Sequence, residues 1–138
     1  MQLLALTDEA TQVLGFAPAL RMTGLLDTGV PDTHAGHLLA VLREALSNTA
    51  RHAGAATVEV TAEASGRTLR LTVADDGRGI DPAATRRSGL ANLRSRAHEL
   101  GGTFLVARRD PCGTLLEWTV PLPPEGAAAE RDAADVRL

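Results

Sequence analysis

Residues 57–74, TVEVTAEASGRTLRLTVA, restrict the fold more than any other stretch of the chain. Two runs alternate apolar and polar side chains with a period of two and are separated by Ser65–Gly66. They read as a β-hairpin with one dry and one wet face. Such a hairpin is not stable alone; its apolar face needs neighbouring strands and a covering layer. The rest of the chain supplies both. ALRMTG (19–24) alternates like a strand, and TFLVARR with TLLEWTVPL makes a second hairpin around DPCG. Leu3, Leu6, Ala10, Val13 and Leu14 recur at helical spacing, and Gly15 ends that run. Pro31, Asp32 and Thr33 start a helix that runs to about His52, and Ser88–Gly89 open another that stops at Gly101–Gly102. The order is helix, strand, helix, two strands, loop, helix, two strands. It predicts an α+β two-layer α/β sandwich, a mixed and mostly antiparallel sheet with three helices on one face. Residues 1–122 form one domain. From Pro121 onward the composition turns to Pro, then Ala and charge, which predicts a mobile tail over 123–138.

Composition removes several chemistries. Apolar residues make up 44 % of the chain, ample for one core. All 14 Lys and Arg positions are arginine. A phosphate loop with its lysine is therefore impossible, as is a Schiff-base lysine. Any phosphate binding falls to backbone N–H groups, arginine, hydroxyls or a metal ion. A net charge of −3 gives no electrostatic case for nucleic acid or direct membrane contact. The only aromatics are Phe16, Phe104 and Trp118, too few for a base-stacking surface. Cys112 is the single cysteine, which excludes a disulfide within the chain; lying in a turn, it reads as an incidental residue or as a redox handle. No apolar run reaches the length of a membrane span, and the start lacks a signal peptide's basic residues, so the domain is expected to be cytoplasmic.

Residues 44–52, EALSNTARH, collect polar groups on one side of the 34–52 helix. On a wheel of 100° per residue, Leu38, Leu42, Ala45, Leu46 and Thr49 share one arc. Glu44, Asn48, Arg51 and His52 occupy another, with Val41 near it. The arc reads either as a solvated polar face or as a face for metal and phosphate. An asparagine oxygen is a hard ligand suited to Mg²⁺, and a glutamate can orient a nucleophile.

In RTLRLTVADDGRGI, Leu69, Leu71 and Val73 share one face of the strand, and the period of two places Asp75 on that same inward side; Asp76 points the other way. A carboxylate after three core residues needs a hydrogen-bond donor. Gly77 and Gly79 follow and permit close approach by a ligand. The group reads as an Asp-Gly turn with its side chain satisfied internally, or as an acceptor for an exocyclic amine on a flat base, for which adenine fits.

Taken together these segments resemble a known family. EALSNTARHA looks like the N-box of the GHKL (Bergerat-fold) ATPases, DDGRGI like their first glycine box, SGLANLRSRAHELGG like the second, and CGTLLEWTVP like the closing Gly-Thr strand. The likeness covers roughly residues 8–122 and is to the ATP-binding catalytic domain of bacterial sensor histidine kinases. The G-L-x-N-L-R-x-R-A form and short lid resemble the subgroup that pairs with NarL-type response regulators. The lead-in LGFAPALRMTG is similar to actinobacterial dormancy-type sensors of oxygen and redox state. The resemblance implies ATP and Mg²⁺ as cofactors, with Asn48 holding the Mg²⁺ that bridges the phosphates and Glu44 helping to activate the attacking group. Arg51 and His52 would lie near the phosphates. Asp75 would accept from the adenine amine, with Gly77 and Gly79 as the wall, Ile80 beside them and Thr114 beneath the base. Gly89 and Leu90 would begin the helix whose N–H groups meet phosphate. Of Arg94 and Arg96, one would reach phosphate, Arg96 being the choice. The acceptor histidine is expected on separate dimerisation helices, because His34, His37, His52 and His98 lack an acceptor's context: His34 and His37 read as surface or helix-start residues and His98 as a helix C-terminal one. A cognate response regulator would receive the phosphoryl group. The same fold also serves anti-sigma-factor serine kinases and could serve as a nucleotide-free docking module.

Overall fold

Alternation in the sequence becomes alternation in burial. The computed structural model describes residues 2–24, 26, 29–50, 54–78 and 90–123. Among these, the elements are α1 (Leu3–Leu14), β1 (Ala19–Gly24), α2 (Asp32–Asn48), β2 (Val58–Ser65), β3 (Thr68–Asp75), α3 (Leu90–Glu99), β4 (Thr103–Arg108) and β5 (Thr114–Pro121). The sheet order is β1-β2-β3-β5-β4. β1 pairs parallel to β2, and the remaining neighbours are antiparallel. This is the mixed, mostly antiparallel sandwich that the element order predicts.

Val58, Val60 and Ala62 of β2, Leu69, Leu71 and Val73 of β3, and Leu116, Trp118 and Val120 of β5 are buried on one face. Register aligns them into rows: Val60 opposite Val73, Val73 opposite Leu116, and Leu71 opposite Trp118. The helices close over this face with Leu3 and Leu6 from α1, Leu38, Val41, Leu42, Ala45 and Leu46 from α2, and Leu90, Leu93 and Ala97 from α3, in one core cluster. Each fully buried leucine contributes roughly 1.5–3 kcal/mol.

Two local readings need adjustment. The first hairpin turns at Gly66–Arg67, not Ser65–Gly66, because Ser65 still pairs with Thr68. Gly66 has φ +60 and no non-glycine has positive φ among the described residues, so glycine takes the first corner of a two-residue II′-type turn. The α-helical part of α2 ends at Asn48, followed by a wider π-type turn at 49–50, while 51–53 lie outside the described residues. The tail reading over 123–138 likewise falls, beyond Pro123, outside them.

Contacts made by His34 and His37 fix the directions of α2 and α3. His34 Nε2 lies 3.1 Å from the Pro121 carbonyl, and Pro121 pairs with Thr68 at the start of β3. The start of α2 therefore sits over the start of β3. From His34 to Asn48 the helix runs about 21 Å at 1.5 Å per residue. From Thr68 to Asp75 the strand runs about 23 Å at 3.3 Å per residue. The chain leaving α2 also enters β2 at Val58, which pairs with Asp75. Asn48 and Asp75 thus belong to the same end of the molecule. α3 runs the opposite way to α2, since Arg96 and Glu99 from its last turn both meet His37. Its first residue, Leu90, points toward the Asn48–Asp75 end.

Candidate functional site

The end of β3 carries two adjacent carboxylates that strand geometry sends to opposite faces. Asp75 is 4 % exposed, and its Oδ1 accepts from the Gly77 N–H at 2.9 Å. Burial pushes its pKa up; the N–H groups of Gly77 and Thr114 oppose that, Asp76 adds to it, and Arg109 opposes it. Asp76 does a different job. Its Oδ1 accepts from the N–H groups of Ala56 and Thr57, at 2.8 and 2.9 Å, and those bonds hold its pKa below the usual carboxylate value. Asp76 thereby ties the entry of β2 to the exit of β3.

Thr114 stands opposite Asp75 in the β3–β5 register. Its hydroxyl is buried and has no hydrogen-bond partner in the structure, next to an acid held by backbone donors. An acceptor and an unused hydroxyl side by side match the edge of a base that offers an amine and a ring nitrogen. Asn48 is 2 % exposed and ends α2 at this same end of the sheet; Glu44, one turn earlier, is half-buried. The wheel placed Asn48 with the polar arc, but it lies only about 20° from Val41, seven residues earlier, and Val41 is itself buried. Its amide therefore faces inward, where a solvated reading does not fit. No group of three or more His, Cys, Asp or Glu side chains that could hold a metal ion exists among the described residues. Mg²⁺ suits such a place, because it takes one or two protein oxygens and fills the rest of its shell with water and phosphate.

Of the other site residues read from sequence, Gly77 is buried and donates to Asp75, and Leu90 is buried at the start of α3. Arg51, His52, Gly79, Ile80 and Gly89 lie outside the described residues. Arg96 is not brought to the cluster. Its Nη1 donates to His37 Nδ1 at 3.1 Å, about 16 Å along α2 from Asn48. Because arginine can only donate, His37 keeps its proton on Nε2, which faces Glu99 Oε2 at 3.4 Å. His37 is thus a bridge between α2 and α3 rather than a surface residue. His98 lies in the last turn of α3, as its spacing suggested.

Sequence reasoning gave no role to three residues of the 109–113 turn. Arg109 Nη1 donates to the Asp75 carbonyl at 2.9 Å, and Cys112 Sγ donates to the Asp76 carbonyl at 3.2 Å. Gly113, at φ +115, lies so close that a Cβ would stand 2.0 Å from the Asp75 carbonyl oxygen. The glycine of the Gly-Thr pair was visible in sequence, but the contacts across 34 residues were not. A separate cavity of about 170 Å³, lined by Leu6, Ala10, Val13, Arg43 and Leu46 among others, lies between α1 and α2.

A deep acid on a mixed sheet, a buried amide at the end of the covering helix and the start of α3 belong to one end of a two-layer sandwich. Residues 33–124 match the family model of histidine kinase-, DNA gyrase B- and HSP90-like ATPases, and the chain belongs to that family. It is 36 % identical over 111 residues to the sensor histidine kinase LiaS of Bacillus subtilis, covering 78 % of this chain and 31 % of that protein. It is 41 % identical over 87 residues to the nitrate/nitrite sensor protein NarX of Escherichia coli, covering 62 % of this chain and 14 % of NarX. The chain thus spans less than a third of the length of these curated relatives. Among solved structures, the histidine kinase domain of the blue-light activated histidine kinase of Erythrobacter litoralis EL346 superposes with a TM-score of 0.67 at 26 % identity, covering 88 % of this chain and 60 % of that one. The ATP binding domain of PrrB from Mycobacterium tuberculosis has the same fold, with a TM-score of 0.61 at 22 % identity over 87 % of this chain and 93 % of that one.

Proposed function

We propose that this chain is the ATP-binding catalytic domain of a two-component sensor histidine kinase. The observation that carries the reading is Asp75: a buried carboxylate held by backbone donors, beside the Thr114 hydroxyl that has no partner. Asp75 accepts from the adenine amine and Thr114 donates to the ring edge. Asn48 would supply an amide oxygen to Mg²⁺, which when bound would supply neutralisation of the phosphate charge. Glu44, one turn earlier, orients the attacking nitrogen. The start of α3 presents N–H groups to phosphate. In the reaction the bond from the γ-phosphorus to the β–γ bridging oxygen breaks and a bond to a histidine nitrogen forms, leaving ADP. Catalysis of this transfer is mostly placement and charge neutralisation. The acceptor histidine sits on the dimerisation helices of the full-length kinase, and the phosphoryl group passes on to a cytoplasmic response regulator. The NarL-type regulator is favoured by the G-L-x-N-L-R-x-R-A form, and the kinship with dormancy-type redox sensors by the lead-in sequence.

Thermal denaturation with and without Mg-ATP tests the core of this. A ligand at 100 times its dissociation constant adds about 2.7 kcal/mol, so the unfolding midpoint should rise; no shift at millimolar Mg-ATP refutes nucleotide binding. Asn48→Asp separates metal from base: Mg-ATP should weaken while ADP without magnesium binds almost as before. Equal loss for both ligands removes Asn48 from the metal.

A further inference from the structure

The turn between β4 and β5 is fastened to the end of β3. Arg109 Nη1 donates to the Asp75 carbonyl, Cys112 Sγ to the Asp76 carbonyl, and Gly113 packs flush against both residues. The backbone N–H of Arg109 donates to the Gly113 carbonyl at 3.1 Å and closes the turn on itself. A partly buried guanidinium is therefore anchored on the main chain of the residue whose side chain is the deep acid. Arginine stays charged at any working pH and has five N–H donors, of which one serves this anchor.

Among the described residues, two charged groups act on the Asp75 carboxylate: Asp76, a like charge on the same strand end, and Arg109, an opposite one from the β4–β5 turn. The remaining groups against it are the neutral N–H donors of Gly77 and Thr114. Burial and Asp76 both favour the protonated acid. A protonated acid is a poor partner for an amine, because hydrogen bonds to an ionised acceptor are roughly twice as strong. The N–H groups of Gly77 and Thr114 do most to favour the ionised acid, and Arg109, anchored on the Asp75 carbonyl, adds the one opposite charge that acts on it among the described residues.

We propose that Arg109 is a positioning residue of the nucleotide site: it clamps the 109–113 turn onto the end of β3 and sets the one cation of that turn beside the Asp75 carboxylate that accepts from the base. The nucleotide part rests on the reading of Asp75 given above. Arg109 need not touch ATP; it acts through Asp75.

Arg109→Gln and Arg109→Lys separate its two roles. Glutamine loses the charge and ends two bonds short of Nη1, whereas lysine keeps the charge and ends one bond short, so the two variants differ chiefly in charge. The Asp75 carboxyl is followed by carbon-13 NMR across pH in the nucleotide-free domain, and Mg-ATP affinity is measured at about pH 5.5 and about pH 8. In R109Q, Asp75 should titrate at higher pH than in the wild type. Mg-ATP affinity should fall about tenfold at the lower pH and less than about threefold at the higher, the scale of one charge-assisted hydrogen bond. R109K should titrate close to wild type. The proposal is overturned if Asp75 titrates in R109Q where it does in the wild type, if the affinity loss is the same at both pH values, or if R109K moves the titration as far as R109Q. Asp75→Asn distinguishes the underlying reading: if it keeps wild-type affinity at both pH values, the adenine assignment and Arg109's link to nucleotide are removed, whatever the carboxyl titration shows.

Discussion

Replacing Gly113 by alanine puts the packing of the acid end to a quantitative test. A Cβ at this position would stand 2.0 Å from the Asp75 carbonyl oxygen, 2.9 Å from its carbon and 3.0 Å from the Asp76 Cα. Ordinary contact begins at about 3.5 Å, so the turn must withdraw by about 1.5 Å. That movement breaks the 2.9 Å bond from Arg109 and the 3.2 Å bond from Cys112. The backbone at φ +115 adds its own strain to any residue with a side chain. Left-handed strain costs about 1–2 kcal/mol and overpacking about 1–3 kcal/mol, so Gly113→Ala should lose about 2–5 kcal/mol. Two other glycines separate the terms. Gly15 has φ +85 with nothing within 4 Å, so Gly15→Ala isolates strain at about 1 kcal/mol. A Cβ on Gly102 would meet the Thr119 carbonyl oxygen at 2.0 Å and Val120 Cγ1 at 2.6 Å without positive φ, so Gly102→Ala isolates overpacking at about 1–3 kcal/mol. Urea denaturation measures all three, and Mg-ATP affinity is read at urea-free conditions where each protein is folded. The loss should rise in the order Gly15, Gly102, Gly113, and only Gly113→Ala should weaken nucleotide binding. Gly113→Ala within about 0.5 kcal/mol of wild type, or an equal affinity loss in Gly102→Ala, refutes the reasoning.

Further outcomes follow from the same contacts. Because burial raises the pKa of Asp75, the folded protein holds that proton more tightly than the unfolded chain. Its ionisation opposes folding at neutral pH, and that opposition fades as pH falls through the folded-state pKa. Asp75→Asn should therefore raise the melting temperature of the nucleotide-free domain at pH 7.5 while costing about 1–3 kcal/mol of nucleotide binding; a lowered melting temperature contradicts the sign. For Asp76 the sign is opposite: two N–H donors lower its pKa, so its stabilisation is complete above the unfolded-state value and is lost as pH falls through the folded one. Asp76→Ala should lower the melting temperature at neutral pH and flatten the acid side of the stability profile, both read by calorimetry. His37→Ala should cost about 1–2 kcal/mol in urea denaturation, by removing the α2–α3 bridge to Arg96 and Glu99, and should leave Mg-ATP affinity at wild-type level.

What could be read from the sequence is what alternation carries. The inward side of Asp75 followed from Leu69, Leu71 and Val73 by counting in twos, and the structure buries all four. The same counting sent Asp76 outward, though nothing local said that it would bind the N–H groups of Ala56 and Thr57, some twenty positions back. Asn48 was harder. A polar residue is assigned by habit to the polar arc, whereas the angle to Val41 already put it near the core; a buried amide at a helix end breaks the binary pattern, as functional positions often do. Arg96 shows the limit of motif reasoning. The motif assigned it to phosphate, but α3 runs antiparallel to α2, and that relation brings its last turn to His37. Arg109, Cys112 and Gly113 were illegible as a group because their partners are chosen by the β3–β5 register and not by neighbours in the chain.

The two carboxylates make a single device. β-strand geometry guarantees that consecutive residues diverge, so a pair of acids at the end of β3 must send one inward and one outward. The inward acid alone would be a poor choice for stability, since burial opposes its charge and Asp76 adds repulsion. The outward acid offsets this by fastening the start of β2, which pairs through Val58 with Asp75 itself. The peptide linking the two acids is held on the β2 side by the Asp76 N–H, which donates to the Thr57 carbonyl at 3.3 Å, and on the β5 side by Arg109 and the bare face of Gly113. In the role proposed for Asp75, a carboxylate that meets a flat base at fixed height cannot be carried on a loose strand end. Clamping its backbone from both neighbouring strands lets the unfavourable buried charge keep one orientation before any ligand arrives.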